Sequence, residues 1–519
     1  MSAPQYYPNT LEPLQINRET LQTALHEFRE AVDHGTRLVQ QGCPPSAEWG
    51  SAGLYLGVAG VALAFLRLER QALSLTEPGE TPIDFGKLAR ERIVPHGPDL
   101  PLKPGWLSPL GSFSPVTGAL MRILAAATDG SAISDADITS LDAAVKVAIQ
   151  NGPMVPQGDK MMGGDELIYG RPGLLWSILN LRVQHFDEST RKRLQPVFDA
   201  LPNLVDVIVD AGRQGQKDYI KMHGEKDALP LMWSWKEARF YLGAVHGIAG
   251  VLAIILACHA EEVNDDASRK YFPWIAGTIT GLCKICIANN GHLPTRIPPS
   301  SRHSSPLVQL CHGSPGLLVL MACARRSPLV TEHWEPEWDE AIHLAAESIW
   351  REGLLSKGGS LCHGIAGNAL PLLLMHDSFE YDVEMMQTAK RNYIKRTEGT
   401  EATETKHLDD NLSSDYFLSR ALTLLLHARE TPPYSNSPEN IYRMPDRPFS
   451  LHEGLSGTVC AWADACVAIQ ARLWKMEMEL ESDGPVVEAA LRRDPTFKEL
   501  MDRQLGFPTI AYHRPTGFP

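Results

Sequence analysis

Two dipeptides, Cys311-His312 and Cys362-His363, stand in the same local frame. Each runs straight into a Gly-x-x-Gly phrase and then an apolar stretch: Gly313-Ser-Pro-Gly316 after the first, Gly364-Ile-Ala-Gly367 after the second. His246 precedes Gly247-Ile-Ala-Gly250 in the same way. Thiolates and imidazoles are zinc ligands, and catalytic zinc keeps three protein ligands and one open position. Cys311, Cys362 and His363 fit such a set, with His312 as an alternative nitrogen ligand. A substrate thiol in the open position would lose its proton and become a nucleophile at neutral pH. His246, at the matching place in its own repeat, suits proton transfer. Asp165 and Glu166 lie just before Tyr169-Gly170-Arg171. They admit two readings: orienting a proton carrier, or capping the helix that follows.

Residues so far apart in the chain meet only if a repeated scaffold brings them together. The Gly-x-x-Gly phrase recurs as Gly57-Val-Ala-Gly60, Gly170-Arg-Pro-Gly173 and Gly454-Leu-Ser-Gly457, with a degenerate copy at Ser114-Pro-Val-Thr-Gly118. Apolar runs follow, such as Val61–Leu68, Leu174–Leu181, Val251–Ala257, Leu317–Ala322 and Thr458–Ile469. They are apolar on most faces, which predicts helices surrounded by other helices. More polar, amphipathic stretches alternate with them at Leu141–Ile149, Ser189–Val209, Trp338–Arg351 and Asp382–Lys395, and read as outer helices. Glycine at each helix start permits positive φ or close backbone approach. A closed ring of helical pairs, an all-α α/α toroid, would crowd the inner N-termini at one end, in a positive field that favours thiolate. Pro- and Gly-rich loops at 76–115, 151–164, 294–306 and 431–448 are long enough to shape a groove.

Composition narrows the alternatives. The formal net charge of −14 argues against nucleic-acid binding by bulk charge. The first residues have neither a basic nor an apolar leader region, and no apolar run approaches the ~20 residues of a spanning helix. An odd count of nine cysteines predicts reduced thiols and a cytoplasmic location. Cys258, Cys323, Cys460 and Cys466 sit in apolar runs and read as small buried hydrophobes. Cys283-Lys-Ile-Cys286 has CxxC spacing, but no second pair accompanies it and it lies inside an apparent helix. It reads as buried or incidental thiols.

Taken together, these residues resemble the lanthionine synthetase C-like family, its eukaryotic branch most closely. The match rests on Asp165-Glu-Leu-Ile-Tyr-Gly-Arg171, Ala244-Val-His-Gly-Ile-Ala-Gly250, Cys311-His-Gly-Ser-Pro-Gly316, Cys362-His-Gly-Ile-Ala-Gly-Asn368 and Arg443-Met-Pro-Asp-Arg-Pro-Phe-Ser-Leu-His-Glu-Gly-Leu-Ser-Gly-Thr458. The resemblance implies one toroid domain over 1–519 around a central zinc ion, with a divergent N-terminal segment (about 1–50) and C-terminal tail (about 471–519). It implies zinc on Cys311, Cys362 and His363, and catalysis by His246 with Asp165. It places substrate contacts at Lys357, Arg443, Met444, Pro445, Asp446 and Arg171, the first four-residue run and Lys357 being the glutathione positions. The implied reaction is a thioether-forming addition of glutathione to dehydroalanine or dehydrobutyrine in proteins or peptides. The alternatives are a lanthionine-type peptide cyclase and a non-catalytic glutathione-binding adaptor. The chain departs from the family in carrying Leu310 where tryptophan is usual, and in longer segments at 70–113 and after Gln470. Gly506-Phe-Pro508 is similar to the family's C-terminal end.

Overall fold

The computed structural model describes residues 4–46, 48–77, 79–94, 100–236, 239–265, 267–299, 306–397, 412–437, 440–482 and 484–510. Parts of the loops at 76–115, 294–306 and 431–448, and of the tail after 470, lie outside the described residues.

Seven helices follow the glycine phrases and their degenerate copy: Val58–Leu75, Val116–Asp129, Arg171–Arg182, Ile248–Ile255, Ser314–Arg326, Ile365–Tyr381 and Leu455–Glu481. Each packs on the next, and the last packs back on the first, so the inner layer closes into a ring. Their composition explains the position. In Ile365–Tyr381 every residue but Phe379 is buried, as a helix with neighbours on all sides requires.

An outer layer covers them. Arg18–Gly42 packs on Leu455–Glu481, Phe85–Arg90 on Val58–Leu75, Asp135–Gln150 on Val116–Asp129, and Leu201–His223 on Arg171–Arg182. Pro336–Glu352 covers Ser314–Arg326, Phe272–Ala288 packs beside it, and Ser414–His427 covers Ile365–Tyr381. These helices are one-sided. In Arg18–Gly42, Leu21, Leu25, Phe28, Val32 and Val39 are buried at helical spacing, and Asn17 with Thr20 forms a capping box at the start. The arrangement is the α/α toroid.

Two outer assignments change. The stretch Ser189–Val209 is two helices, Glu188–Asp199 and Leu201–His223, with a proline opening the second. Val383–Thr397 packs on Leu329–His333 and buries little beyond Met386 and Ala389. The ring position beside Ile365–Tyr381 goes instead to Ser414–His427, which buries seven side chains.

The glycines work by close approach. The second glycine of each phrase lies under a loop that folds back over the helix's first turn. A Cβ at Gly250 would meet the Ala244 carbonyl oxygen at 1.7 Å, and one at Gly367 the Leu361 carbonyl at 1.7 Å. The first glycines Gly57, Gly170, Gly247, Gly364 and Gly454 keep negative φ, so positive φ is not the reason there.

The outermost described segments at both ends are built into the ring. Tyr6–Tyr7 pairs antiparallel with Leu354–Leu355. At the other terminus Leu505, Phe507 and Ile510 join the main core, and the Gly506 carbonyl accepts a hydrogen bond from buried Arg67 at 2.7 Å. All nine cysteines are unbonded. Cys283 and Cys286 are buried in Phe272–Ala288, where burial pushes the Cys286 thiol up to about 12. Among the described residues, no helix is long and apolar enough to cross a membrane.

Candidate metal centre

The loops that precede the inner helices meet at one end of the ring and are stitched together by their backbones. Cys311 N–H donates to the Cys362 carbonyl at 3.4 Å, Cys362 N–H to His452 at 2.8 Å, His452 N–H to Tyr55 at 3.2 Å and Tyr55 N–H to Leu110 at 3.0 Å. Each of Cys311, Cys362, His452 and Tyr55 stands two residues before the glycine that caps its inner helix. Equivalent places in successive repeats thus become neighbours. That is how residues 311, 362 and 363 meet: their ligand atoms all lie within 4.8 Å of one another. Among the described residues this is the one Cys/His/carboxylate group close enough to hold a metal ion.

The donor set fits zinc. Tetrahedral bonds of about 2.3 Å to sulfur put two ligand sulfurs about 3.8 Å apart, inside the observed spread. The capping glycines carry no side-chain cap; at the second helix the N–H groups of Ile365, Ala366 and Gly367 donate instead to the carbonyls of Gly358, Gly359 and Ser360, and both N-termini turn their positive field toward this end. The hydrogen bond to Cys311, then burial, raises the Cys362 thiol well above its usual range, with His363 pulling the other way. Burial lowers His363, but its hydrogen bond to Cys362 and that group's charge outweigh this and lift it.

His246 sits in the same end of the ring. Its ring is stacked on Trp235 at 4.3 Å and 6° and on His312 at 5.4 Å, which ties it to the loop of Cys311. The structure divides the two acids that precede Arg171. Glu166, 2 % exposed, holds His246 Nδ1 at 2.6 Å with one oxygen and accepts the Tyr169 N–H at 2.9 Å with the other. Asp165 was the acid expected beside the catalytic histidine, but both of its oxygens are taken by Arg171, one at 2.6 Å. Arg171, expected to touch substrate, is 2 % exposed and also bonds the Asn151 carbonyl at 3.1 Å, so this pair fastens the loop to its helix. The two acids are adjacent in sequence and point to different partners. No periodicity distinguishes them.

Lys357 and the Arg443 segment lie together beside the cluster. Arg443 N–H donates to the Ser356 carbonyl at 2.9 Å, and the charge of Lys357 is felt at His363. Lys357, Arg443, Met444 and Asp446 are exposed and Pro445 is half-buried. Neither cation forms an ion pair with a described residue. The N-terminal segment walls this side: Ser356 N–H donates to the Gln5 carbonyl at 3.1 Å, and Tyr7 donates to the Ile441 carbonyl at 2.7 Å and meets Tyr442 edge-on.

Three contributors escaped the sequence reading. Trp235 has no repeat position, and the N-terminal strand reaches the site only through folding. Tyr55 carried a signal, since it occupies the place of Cys311 and Cys362 in the first repeat. Its buried ring stacks on His452 at 4.0 Å, and burial followed by the Cys362 and Cys311 thiols raises its hydroxyl well above the phenol range.

The model of the family described as lanthionine synthetase C-like protein matches residues 117–414. A zebrafish (Danio rerio) protein named glutathione S-transferase LANCL1 is 27% identical over 325 residues, which is 62% of this chain and 64% of that one. The Arabidopsis thaliana LanC-like protein GCL1 is 27% identical over 311 residues, 59% of this chain and 56% of that one. The chain thus spans under two thirds of the length of either relative. The solved structure of nisin cyclase covers 80% of this chain and 100% of its own at 15% identity, with a TM-score of 0.37, too loose a fit to carry weight. With its family match running over more than half its length, the chain belongs to the lanthionine synthetase C-like family.

Proposed function

We propose that this protein is a zinc-dependent enzyme that adds glutathione to dehydroalanine or dehydrobutyrine residues of a polypeptide. The observation that carries the reading is the triangle of buried Cys311 and Cys362 with half-buried His363, set at the same ring end as the His246–Glu166 pair. Zinc, when bound there, supplies a Lewis acid that lowers the proton affinity of a thiol in the fourth position.

Every other part of the work falls to side chains. Lys357 and Arg443 offer cations for the two carboxylates of glutathione. The thiol gives up its proton, sulfur bonds to the β-carbon of the acceptor, and electron density moves to the acceptor carbonyl. His246 delivers a proton to the α-carbon, so the sum is an addition with no leaving group. Glu166 fixes the ring through Nδ1, which leaves Nε2 to carry the proton. Trp235 and His312 pack against the imidazole and hold its plane. A peptide cysteine as donor would make the same bond in a cyclisation. The pair of exposed cations beside the cluster favours glutathione.

The test incubates zinc-quantified protein with glutathione and a dehydroalanine peptide, beside Cys362→Ala, and follows the adduct by mass spectrometry. Adduct well above the uncatalysed background, dependent on zinc and lost in Cys362→Ala, is expected. Full zinc with background adduct would return the weight to the adaptor.

A further inference from the structure

Beyond His246 and Trp235, a face beside the centre takes no part in the steps above. It runs outward on the side of Trp235. The Trp235 carbonyl accepts a hydrogen bond from Gly163 N–H at 2.8 Å, which ties it to the hairpin Met154–Gln157/Lys160–Gly163. At the hairpin's other end Gln157 Nε2 donates to the Gly105 carbonyl at 3.0 Å. That contact joins it to the loop of Trp106 and Phe113, which pack edge to face at 6.1 Å. The elements that carry this face are therefore tied to one another from His246 to this loop.

Its chemistry is unusual for an exposed surface. Phe113, Met154 and Met161 are 51%, 40% and 55% exposed, so three large apolar side chains on these joined elements meet water, the two methionines on one face of the hairpin. Phe113 is held there with φ of 66°, an uncommon conformation for a side chain of its size. Flexible methionines and aromatic rings suit a partner whose side chains vary. The patch is also basic in a chain of net charge −14. Lys103 lies over the Trp106 ring at 5.1 Å and Lys236 over Trp235 at 4.7 Å, while Lys160 and Asp159 share the hairpin.

Building on the function proposed above, we infer that this face docks the acceptor polypeptide, as an extended segment with apolar side chains and carboxylates around the dehydroamino acid. The donor's carboxylates are served by Lys357 and Arg443. The acceptor must instead bring its α-carbon to His246, and this face adjoins that residue through Trp235. The apolar side chains take the acceptor's own apolar flanks, and the lysines take its acids and disfavour a basic segment.

Binding and turnover test this separately. A labelled nonapeptide with alanine in place of the dehydroamino acid is made in two forms, one flanked by Leu and Glu and one by Gly and Lys. Fluorescence anisotropy is expected to show about tenfold tighter binding of the Leu/Glu form. Met161→Ala combined with Phe113→Ala, and separately Lys103→Glu, are expected to weaken it about fivefold at unchanged melting temperature and zinc content. In parallel, glutathione addition to N-acetyl-dehydroalanine amide, too small to span the face, is measured for the same proteins and is expected to be unaltered. Equal affinity for both peptides, or variants that bind as the wild type does, would overturn the docking face. No turnover of the small acceptor, with the peptide discrimination intact, would sink the glutathione reaction while upholding the docking face.

Discussion

Glu166→Gln is the sharpest test of the proton-transfer pair. The Glu166 carboxylate serves two donors at once, His246 Nδ1 at 2.6 Å and Tyr169 N–H at 2.9 Å. A glutamine keeps one oxygen. If that oxygen stays with the Tyr169 N–H, the amide nitrogen faces Nδ1 and forces its proton onto the other ring nitrogen. If it turns to His246, a backbone N–H in a buried loop loses its acceptor. In either case the charged hydrogen bond at Nδ1 is gone. A hydrogen bond to a charged group contributes roughly 1.5–3 kcal/mol, so the proton-transfer step should slow roughly 10- to 150-fold. Since the change touches neither the thiol cluster nor Lys357, zinc content and KM for glutathione should hold. Steady-state adduct formation by mass spectrometry, with metal analysis and a thermal melt on the same sample, reads all of these. A kcat within twofold of wild type would refute the assignment of His246 as the acid. A loss of zinc equal to the loss of rate would mean that Glu166 organises the cluster instead.

Four further outcomes are expected. Cys311→Ala should lose zinc and activity together, and zinc retained at full occupancy would remove Cys311 from the ligand set. Lys357→Ala with Arg443→Ala should raise KM for glutathione by about tenfold or more, the weight of one or two charge-assisted contacts, with kcat little changed; an unaltered KM would deny the donor site. Gly250→Ala forces a Cβ to within 1.7 Å of the Ala244 carbonyl and should cost about 4 kcal/mol or prevent folding, as read by urea unfolding; a loss under about 1 kcal/mol would show that the loop yields readily. Burial, against the pull of Arg326, raises the Asp377 carboxyl from 3.8 to about 7. Its proton is therefore bound more tightly folded than unfolded, so stability falls as pH rises from about 4 through 7. Asp377→Asn should be more stable than wild type at pH 8, by an amount that vanishes below pH 4; parallel pH profiles for the two proteins would refute the shift.

The candidate site was largely legible in the chain because the ring repeats. Cys311, Cys362 and His363 could be grouped before any fold was known, since each stands at a fixed distance from a helix-starting glycine. The inner helices were legible for a related reason, being apolar all round, and even the degenerate copy before Val116–Asp129 proved to be one of them. The outer layer was less so. Amphipathic character shows that a helix has a wet side and a dry side, but not which neighbour it dries against. Val383–Thr397 and Ser414–His427 could not be ranked by it.

What the sequence by itself determined was local: the residue types that ligate and carry protons, the glycines that let a loop cross a helix's first turn, and the periodicity of the buried helices. Tertiary structure decided which of two adjacent acids meets His246. It gave Arg171 to Asp165 rather than to a substrate, put Trp235 against the histidine, and brought Tyr6–Tyr7 to the side of Lys357. The division has a physical cause. Spacing along one helix or loop fixes geometry over a few residues, while partners across the ring are chosen by the backbone ladder that links its loops and by which charge can be satisfied once water is excluded.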